Sequence, residues 1–241
     1  MPLSSNSVIH LCDSLDSLLG ILRSNFFVRY CREEYACHDF EAGARIPMVS
    51  FCDIPLSEIK DHIGKYGEYG IGLSKDWARR QALNPVLYIE QNSLVAQSIA
   101  VLYQSMTAKH PKPRKSDKAP RAVIEILRYI KNYEGELTRK GSTSRYRFSD
   151  EREWRYVPAY ADCAEPVLEL DSDTKDAVDN EGQRLTLKFE PNDIKYIVIR
   201  NDSEIERVIE CLRRDKGDYS HRDIERLATR ILTSEQIKED I

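Results

Sequence analysis

The sequence predicts an α+β fold in which mixed sheets form the core and helices surround them. Short apolar runs typical of strands are interspersed with segments whose apolar residues recur every three or four positions, which indicates amphipathic helices. These runs follow no regular βαβ repeat, so a doubly wound parallel sheet is not expected. With 241 residues, of which 41% are hydrophobic, the chain is long enough to bury a full core. We therefore predict a single domain over residues 1–241.

The chain begins with a predicted strand and a predicted helix. The run "VIHLCD" is short and apolar, as in a buried strand. After it, Asp13 or Ser14 can cap a helix. One face of that helix carries four leucines (Leu15, Leu18, Leu19 and Leu22). From residue 26 to residue 46 the charge is mixed and no period is clear, so we expect a strand remnant and a long loop there.

Three further strands are predicted in the first half of the chain. The first covers Pro47–Ile54 and leads into a helix that opens at Pro55, because proline suits the first turn of a helix. The second covers Tyr69–Leu73 and follows a glycine-rich turn. A brief helix, "KDWARRQAL", separates it from the third strand, "NPVLYIE".

The second half is predicted to hold two amphipathic helices, a strand pair and a helical C-terminus. The helices "SLVAQSIAVLYQSM" and "RAVIEILRYIKNYE" flank residues 107–120, whose prolines and basic side chains predict an exposed basic loop. A flexible segment, "ELTRKGSTSRYR", precedes the strand-like run "FSDEREWRYVP". The runs "QRLTLKF" and "IKYIVIR" are expected to pair across the turn "EPND". Residues 203–241 are expected to form C-terminal helices.

Composition excludes several classes of protein. No window approaches the roughly 18 apolar residues that a membrane helix needs, and the first residues lack a secretion signal, so we expect a soluble, cytoplasmic protein with no membrane partner. Six cysteines without paired spacing indicate reduced thiols. Cys31, Cys37 and His38 supply three zinc ligands, but no second cluster completes a tetrahedral set. We therefore predict no metal site.

Charge is distributed unevenly along the chain. The net charge is −4, yet residues 109–147 contain twelve Lys and Arg against four Asp and Glu. The functional interpretation is a site for the phosphates of nucleic acid or of a dinucleotide. A solvated helix face beside a lysine-rich loop explains the same charge, because no aromatic stacking pattern accompanies it. Nucleic acid is therefore one candidate partner.

The first candidate site is a pair of glutamates. Glu151 and Glu153 are two residues apart in a predicted strand, so both side chains should project from one face, opposite to Arg152. Paired carboxylates can shift each other's pKa values, or stabilise the positive charge that develops during ribosyl chemistry. The alternative is a charged strand edge in which the glutamates pair with a neighbouring arginine, such as Arg155.

Other candidate residues lie earlier in the chain. His10 lies in the first strand, where its imidazole can hydrogen-bond a ribose or a nicotinamide, or can be a satisfied core histidine. The strand "VSFCD" carries Ser50 and the aromatic ring of Phe51. In "GKYGEYGIG", Tyr69 can stack on a ring, or the glycines can form an ordinary connection between a helix and a strand.

The segment "MVSFCDIPLSEIKDHIGKYGEYGIGLSKDWARRQALNPVLYI" resembles the AbiGi family of bacterial abortive phage-infection proteins. In that family a "SFCDIPL" type strand, a "YGxYGIGL" strand, a following Trp and "NPVLYI" recur in this order, with an "EREWR"-like element downstream. The resemblance covers Met48 to about Glu90 closely and Asp150 to Pro158 more loosely. It implies a role in phage defence, as the antitoxin-like partner in a two-gene abortive-infection system.

The order of elements is also similar, more weakly, to that of DarT-like ADP-ribosyltransferases acting on nucleic acid. The matching elements are "IHLCDSLDSLLGIL", "VSFCD" and "EREW", although Asp or Ser stands where an Asn is expected in the first helix. This resemblance implies an ADP-ribosyltransferase-like fold with NAD as substrate. Glu153 would then act on the ribose, because a carboxylate stabilises an oxocarbenium-like cation, and Glu151 would orient the acceptor.

The same resemblance implies roles for the residues in the first third of the chain. His10 would hold the nicotinamide ribose, Ser50 would support the pocket, and Tyr69 or Phe51 would stack on nicotinamide. We therefore expect a component of an abortive-infection or toxin–antitoxin system that transfers ADP-ribose from NAD to a nucleic acid or a protein. The alternative is a non-catalytic antitoxin, or a phage-sensing protein, that binds a partner toxin.

Overall fold

The structure is a computed structural model that describes residues 5–37, 40–109, 117–139, 141–159, 185–215 and 219–240. Within these residues the chain forms eight α-helices and fourteen strands, and its sheets contain both parallel and antiparallel pairs. The α+β class with mixed sheets is therefore confirmed. The finer expectation of an ADP-ribosyltransferase-like fold stays a prediction.

The helices are mostly short. Their bounds are α1 (Leu15–Ser24), α2 (Lys60–Tyr66), α3 (Lys75–Arg80), α4 (Leu94–Lys109), α5 (Lys118–Leu127), α6 (Ile205–Asp215), α7 (His221–Ala228) and α8 (Ser234–Asp240). At the start of α1, the Ser14 hydroxyl accepts a hydrogen bond from the Ser17 backbone N–H at 3.2 Å, and all four leucines of the helix are buried. The predicted cap and apolar face are therefore confirmed.

The strands vary more in length. Their bounds are β1 (Ser7–Cys12), β2 (Phe26–Phe27), β3 (Arg29–Cys37), β4 (Phe40–Cys52), β5 (Tyr69–Ser74), β6 (Asn84–Pro85), β7 (Leu87–Ile89), β8 (Ile130–Asn132), β9 (Gly135–Arg139), β10 (Ser142–Tyr146), β11 (Glu153–Tyr156), β12 (Thr186–Leu187), β13 (Ile194–Ile199) and β14 (Ile231–Thr233). Strands β1 and β5 agree with the prediction to within one residue at each end.

The chain divides into two compact units. Unit 1 comprises residues 1–28, 49–83 and 185–241, and unit 2 comprises residues 29–48 and 84–184. Strand β4 begins in unit 2 and ends in unit 1. The expectation of one domain over residues 1–241 stays a prediction.

Unit 1 is built on a sheet whose strands follow the order β14-β13-β5-β1-β4. The central strands β13, β5 and β1 are antiparallel neighbours, whereas β14 runs parallel to β13. Ile71 and Leu73 of β5 are fully buried. Between them, Gly72 lets the ring of Tyr196 pack against the backbone, since a Cβ at this position would lie 2.4 Å from that ring. The centre of unit 1 is therefore apolar and closely packed.

Unit 2 contains several small pairs of strands. Strands β3 and β4 form a long antiparallel hairpin, in register from Arg29 opposite Met48 to Cys37 opposite Phe40. The pairs β9–β10 and β6–β11 are antiparallel, and β7–β8 is parallel. The expectation of a long loop across residues 26–46 is wrong. Because the side chains of Arg32 and Glu34 on β3 face solvent, this strand lacks the apolar alternation that marks a half-buried strand.

Four other sequence-based expectations differ from the structure. The segment "ELTRKGSTSRYR" forms β9 and β10, whose polar residues hid the strand pattern. The helix predicted to run through "RAVIEILRYIKNYE" ends at Leu127 and is followed by β8, because short apolar runs fit helix and strand alike. The strand β12 pairs with β2 instead of β13. The C-terminal segment 203–241 contains β14 as well as helices.

The predicted basic loop is shorter than residues 107–120. Helix α4 extends to Lys109 and α5 begins at Lys118, while residues 110–116 lie outside the described residues. In the part of the chain that the structure describes, none of the helices combines the length and the apolar character needed to cross a bilayer.

Candidate functional site

The two glutamates lie in a turn that opens into a strand. Glu151 ends a 3-10 turn over Phe148–Glu151, Arg152 adopts the left-handed conformation with φ of 45°, and Glu153 begins β11. The prediction that both glutamates lie in one strand is therefore wrong. The turn nevertheless directs both side chains to Lys131, whose Nζ donates to Glu151 Oε2 at 3.2 Å and to Glu153 Oε2 at 3.0 Å.

Arg155 is the second cation beside this pair. It follows Glu153 by two residues in β11, so both side chains project from the same face of the strand. Its Nε donates to Glu153 Oε1 at 2.6 Å and its Nη2 donates to Glu33 Oε2 at 2.7 Å. A further hydrogen bond runs from Nη1 to the carbonyl oxygen of Arg128 at 3.2 Å. The Arg155 side chain is fully buried, so its charge is compensated entirely by these partners.

Three carboxylates and two cations thus form a buried ion network, which we define as Glu33, Lys131, Glu151, Glu153 and Arg155. Burial alone lowers the pKa of Arg155, but the carboxylates of Glu153 and Glu33 more than offset this and hold the pKa above its ordinary value. Glu151 and Glu153 are only 6% and 4% exposed. Both oxygens of Glu153 accept charge-assisted hydrogen bonds, so the network fixes this carboxylate in one orientation.

Two aromatic side chains hold the network in place. The backbone N–H of Glu153 donates to the hydroxyl of Tyr88 at 2.8 Å. The ammonium group of Lys131 lies 5.0 Å from the centre of the Phe148 ring, within the range of a cation–π interaction. Both contacts restrict the position of a charged group, which is typical of a structural network as well as of an active site.

A cleft of about 880 Å³ lies beside the network in unit 2. The network reaches this cleft through Lys131 and Glu33, and the ring of Phe148 also lines it. The other lining residues come from β3, from the first residues of β4, from Gln91 after β7, and from the segment that runs from β8 to β10. This volume is within the range of about 300–1,000 Å³ that is typical of ligand pockets.

His10 occupies the middle of β1 in unit 1. Its Nδ1 lies 2.8 Å from the carbonyl oxygen of Ser50, which can only accept, so Nδ1 carries the proton. The imidazole ring contacts Phe26 and Phe51 edge-on, with ring centres 5.2 and 5.7 Å away. Burial lowers the pKa of His10, although the hydrogen bond to Ser50 raises it in part. The imidazole is therefore neutral at pH 7.

The two aromatic residues predicted to stack on a nicotinamide are both buried in unit 1. Phe51 is 1% exposed and its ring packs edge-on against Trp77, with ring centres 5.4 Å apart. Tyr69 is 3% exposed, and its hydroxyl donates to Glu204 Oε1 at 2.8 Å. Burial and this hydrogen bond raise the pKa of Tyr69 to about 12. In this conformation, side chains of the same chain cover both rings.

The structure therefore brings the predicted residues together in two groups. His10, Ser50 and Phe51 are in contact in unit 1. Glu151 and Glu153 share Lys131 in unit 2. The roles of these residues in NAD binding and ADP-ribose transfer stay predictions.

The main residues that sequence reasoning missed are Lys131 and Glu33. The sequence places Lys131 in a predicted helix and Glu33 in a predicted loop. Neither local pattern therefore points to the glutamates. By contrast, Arg155 follows Glu153 by two residues and was foreseen as a partner, although at an exposed edge instead of a buried site. The pairing was predictable from strand periodicity, whereas the burial was not.

The basic segment is partly engaged within unit 2. Arg128 is 4% exposed and donates to Glu125 at 2.8 Å, Lys131 belongs to the buried ion network, and Arg145 pairs with Glu134. Binding of nucleic acid by residues 109–147 stays a prediction.

The cysteines and the candidate zinc ligands complete the survey of sites. Five cysteines in the described residues are free thiols (Cys12, Cys31, Cys37, Cys52 and Cys211). His38, the third candidate zinc ligand, lies outside the described residues. Among the residues that are described, no three His, Cys, Asp or Glu side chains are grouped as a metal site requires.

Comparison with known proteins finds one family and one curated relative. A family model described as "Putative abortive phage resistance protein AbiGi, antitoxin" matches residues 24–200. The "Abortive phage resistance protein AbiGi" of Lactococcus lactis subsp. cremoris is 29% identical over 223 residues, covering 81% of this chain and 88% of the relative. No solved structure matches the chain.

Proposed function

Because this chain belongs to the AbiGi family of abortive phage resistance proteins, we propose that it acts in phage defence as an antitoxin that binds and neutralises a partner toxin protein. The family resemblance inferred from the segment Met48 to Glu90 is confirmed by the family match. The antitoxin role comes from the description of the family, and the geometry of unit 2 supports binding over catalysis.

The observation that carries this proposal is the state of the two glutamates. Both oxygens of Glu153 are held by Lys131 and Arg155, and Glu151 shares the same Lys131. A carboxylate that must stabilise a developing cation is most effective when its charge is available to the substrate. Here the charge of Glu153 is already compensated by two cations of the same chain, so it is not available to a cation that develops on a substrate.

The first experiment tests whether neutralisation needs the carboxylate of Glu153. The chain is co-expressed with the protein encoded by the neighbouring gene, as wild type and as Glu153→Gln, which preserves the shape of the side chain and removes its charge. We expect the wild type to restore growth and to co-purify with the toxin. Glu153→Gln should still neutralise wherever its soluble level matches that of the wild type.

Two results would overturn the antitoxin proposal. The first is a wild-type chain that neither restores growth nor co-purifies with the neighbouring protein. The second is a Glu153→Gln chain that is folded and still binds the toxin, but no longer neutralises it, because this would separate chemistry from binding.

The second candidate function is ADP-ribose transfer from NAD. The specific observation in its favour is that Glu151 and Glu153 converge on Lys131, which lines a cleft of about 880 Å³. Against it, the rings of Phe51 and Tyr69 are covered in this conformation, so they do not fit a stacked nicotinamide. The stacking on nicotinamide that the resemblance implies would require one of these rings to be uncovered.

Thermal unfolding in the presence of NAD distinguishes the two functions. A ligand at 100 times its dissociation constant adds about 2.7 kcal/mol to the free energy of unfolding. Antitoxin function alone predicts an unchanged melting temperature at millimolar NAD. A melting temperature that rises with NAD concentration in the wild type, and rises less in Glu153→Gln, would favour the transferase.

A further inference from the structure

Strand β3 has an edge that is only partly paired. Within the described residues, β4 is the one strand that pairs with β3. On the other edge, the side-chain amide of Asn132 replaces a strand at one position, Ala36. Its Nδ2 donates to the Ala36 carbonyl oxygen at 2.8 Å, and its Oδ1 accepts from the Ala36 N–H at 2.9 Å. Ala36 therefore directs both backbone groups away from β4.

Every second residue of β3 directs its backbone N–H and C=O away from β4, as Ala36 does. In an antiparallel pair, residues that bond to the partner strand alternate with residues whose N–H and C=O point to the opposite side. Arg32 and Glu34 have the same parity as Ala36, so their backbone groups also point away from β4. Their side chains are 69% and 73% exposed, and they pair only with each other, at 3.0 Å, among the ion pairs of the described residues.

This edge forms one wall of the cleft in unit 2. The lining includes residues 32–36 of β3 together with Asn132, Gly135 and Leu137. An unpaired strand edge is a template for another strand, since its N–H and C=O groups repeat at the spacing of a β ladder. A polypeptide that pairs with this edge in an extended conformation would lie along the cleft of about 880 Å³.

The charge of the lining indicates the chemistry of that polypeptide. Five glutamates line the cleft against three cations (Glu33, Glu34, Glu41, Glu134 and Glu136; Arg32, Lys131 and Arg145). Each of the three cations already pairs with a carboxylate. Glu41 and Glu136 are exposed and make no ion pair within the described part of the chain. The cleft therefore favours basic side chains over acidic ones.

We propose that the open edge of β3, which we define as residues Arg32 to Ala36, binds an extended segment of the partner toxin that carries lysine or arginine. This segment adds a strand beside β3, with its main chain bonded to Arg32 and Glu34 and its basic side chains near Glu41 and Glu136. The inference rests on the proposed antitoxin function and names the surface that performs it. The chain's own residues 160–184 are disfavoured as occupant, because they contain eight Asp and Glu against two Lys and Arg.

Residue-resolved hydrogen exchange of the backbone amides tests this inference on the wild-type chain. In the free chain, the amides of Arg32 and Glu34 should exchange rapidly. The amides of Cys31 and Glu33, which bond to β4, should be protected and serve as internal controls. In complex with the toxin encoded by the neighbouring gene, the amides of Arg32 and Glu34 should become protected as well.

A matched pair of variants tests the role of the outward N–H. Arg32→Pro removes this donor without removing a bond to β4, and proline is tolerated at strand edges. Arg32→Ala removes the side chain but keeps the N–H, so it is the control. Loss of one main-chain hydrogen bond should weaken toxin binding about tenfold in Arg32→Pro, whereas Arg32→Ala should stay within about threefold of wild type. Glu34→Pro provides the same test at a second position if Arg32→Pro does not fold.

The charge of the cleft is tested separately. The double variant Glu41→Lys and Glu136→Lys reverses two charges at its rim that make no ion pair with the side chains that the structure describes. It should weaken toxin binding and reduce the salt dependence of the association rate, because favourable steering is lost.

The outcomes of these experiments distinguish a failure of this inference from a failure of the antitoxin proposal. If the toxin binds but the amides of Arg32 and Glu34 stay unprotected and Arg32→Pro binds like Arg32→Ala, the edge is not the interface and the antitoxin function stands. If the wild-type chain does not bind the toxin, both fail. Protection of these amides in the free chain would show that its own residues cover the edge. Protection that grows with the concentration of the chain alone would place a second copy there, and either result would overturn the inference.

Discussion

The two units differ in how many charged side chains they bury. In unit 1, β1, β5 and β13 bury aliphatic residues such as Ile9, Ile71 and Ile197, and the one imidazole among them, His10, is kept neutral. In unit 2, five charged side chains from β3, β8, β11 and the turn before β11 pair with one another, and three of them are buried. Unit 1 is therefore stabilised mainly by apolar burial and contains an ion pair of low solvent exposure, whereas unit 2 depends on the completeness of an ion network.

The features that favour a binding function lie in unit 2. A buried ion network adds little net stability compared with apolar residues of similar volume, but it is strongly destabilised by the loss of one member. A cleft with an open strand edge lies directly beside it. Unit 2 thus combines a buried ion network with an exposed backbone edge, and it is the part in which we propose that the toxin binds.

The largest expected effect follows from removing Arg155. Arg155→Met leaves Glu153 and Glu33 buried without their main cation, so the free energy of unfolding should fall by about 3–5 kcal/mol. The loss is measured by urea unfolding in a background in which Trp77 of unit 1 is replaced by Phe. The remaining tryptophan, Trp154, lies in unit 2, and its fluorescence follows the unfolding of that unit. Arg145→Met, which breaks an exposed ion pair, is the control and should cause only a small change.

A second variant sharpens this comparison. Arg155→Met combined with Glu153→Met removes both partners of the closest ion pair in the buried network. The double variant should be less destabilised than Arg155→Met alone, because fewer buried charges remain unpaired. An equal or greater loss in the double variant would show that the network contributes net stability.

The next largest effect belongs to unit 1. Gly72→Ala places a Cβ about where the ring of Tyr196 lies, at 2.4 Å, and Tyr196 is itself buried. Overpacking of this kind costs about 1–3 kcal/mol. Urea unfolding followed by Trp77 fluorescence, with Trp154 replaced by Phe, measures the change. An unaltered midpoint would mean that the centre of unit 1 is less closely packed than the structure shows.

The third effect is a dependence of unit 1 on pH. His10 has a pKa below its ordinary value of 6.5 in the folded state, so the unfolded chain binds more protons as the pH falls through 6.5. The contribution of His10 to stability should therefore be complete well above pH 6.5 and should decline as the pH falls below 6.5. His10→Asn, which keeps a donor for the Ser50 carbonyl, should show a shallower decline than wild type. Parallel declines in the two proteins would assign the pH dependence to other groups.

The smallest effect is a gain in stability. Gly64 lies inside α2, and a Cβ there would meet no atom within 4 Å. Gly64→Ala should raise the free energy of unfolding by about 0.4–1 kcal/mol, because alanine restricts the unfolded chain. Gly64→Ala adds the same methyl group as Gly72→Ala, but in open space. A loss of stability in Gly64→Ala would therefore contradict the packing described for unit 1.

The sequence predicted those parts of the fold that depend on local patterns. The leucine face and the Ser14 cap identify α1, and the run from Tyr69 to Leu73 identifies β5, because each pattern lies within one element. Strand β3 was missed, since its exposed charges remove the alternation on which strand prediction depends. The pairing of β12 with β2 was missed because it joins distant segments.

The candidate site was predictable in its residues but not in its surroundings. Glu151 and Glu153 were identified as a pair from their spacing, yet the left-handed Arg152 between them replaces the strand that the pattern indicated. Their common partner, Lys131, comes from another strand and cannot be inferred from spacing. The open edge of β3 cannot be inferred from the sequence, because the hydrogen bonds between Asn132 and Ala36 identify the side of the strand that faces away from β4.

The stoichiometry of neutralisation tests whether the chain acts as a binding antitoxin or as a transferase. Purified toxin is titrated with the purified chain, with and without NAD, and the remaining toxin activity is measured at each molar ratio. A binding antitoxin predicts a linear loss of activity that reaches its end at a fixed ratio and does not change when NAD is added. Inactivation of excess toxin by a trace of the chain, only in the presence of NAD, would contradict this account and establish a transferase.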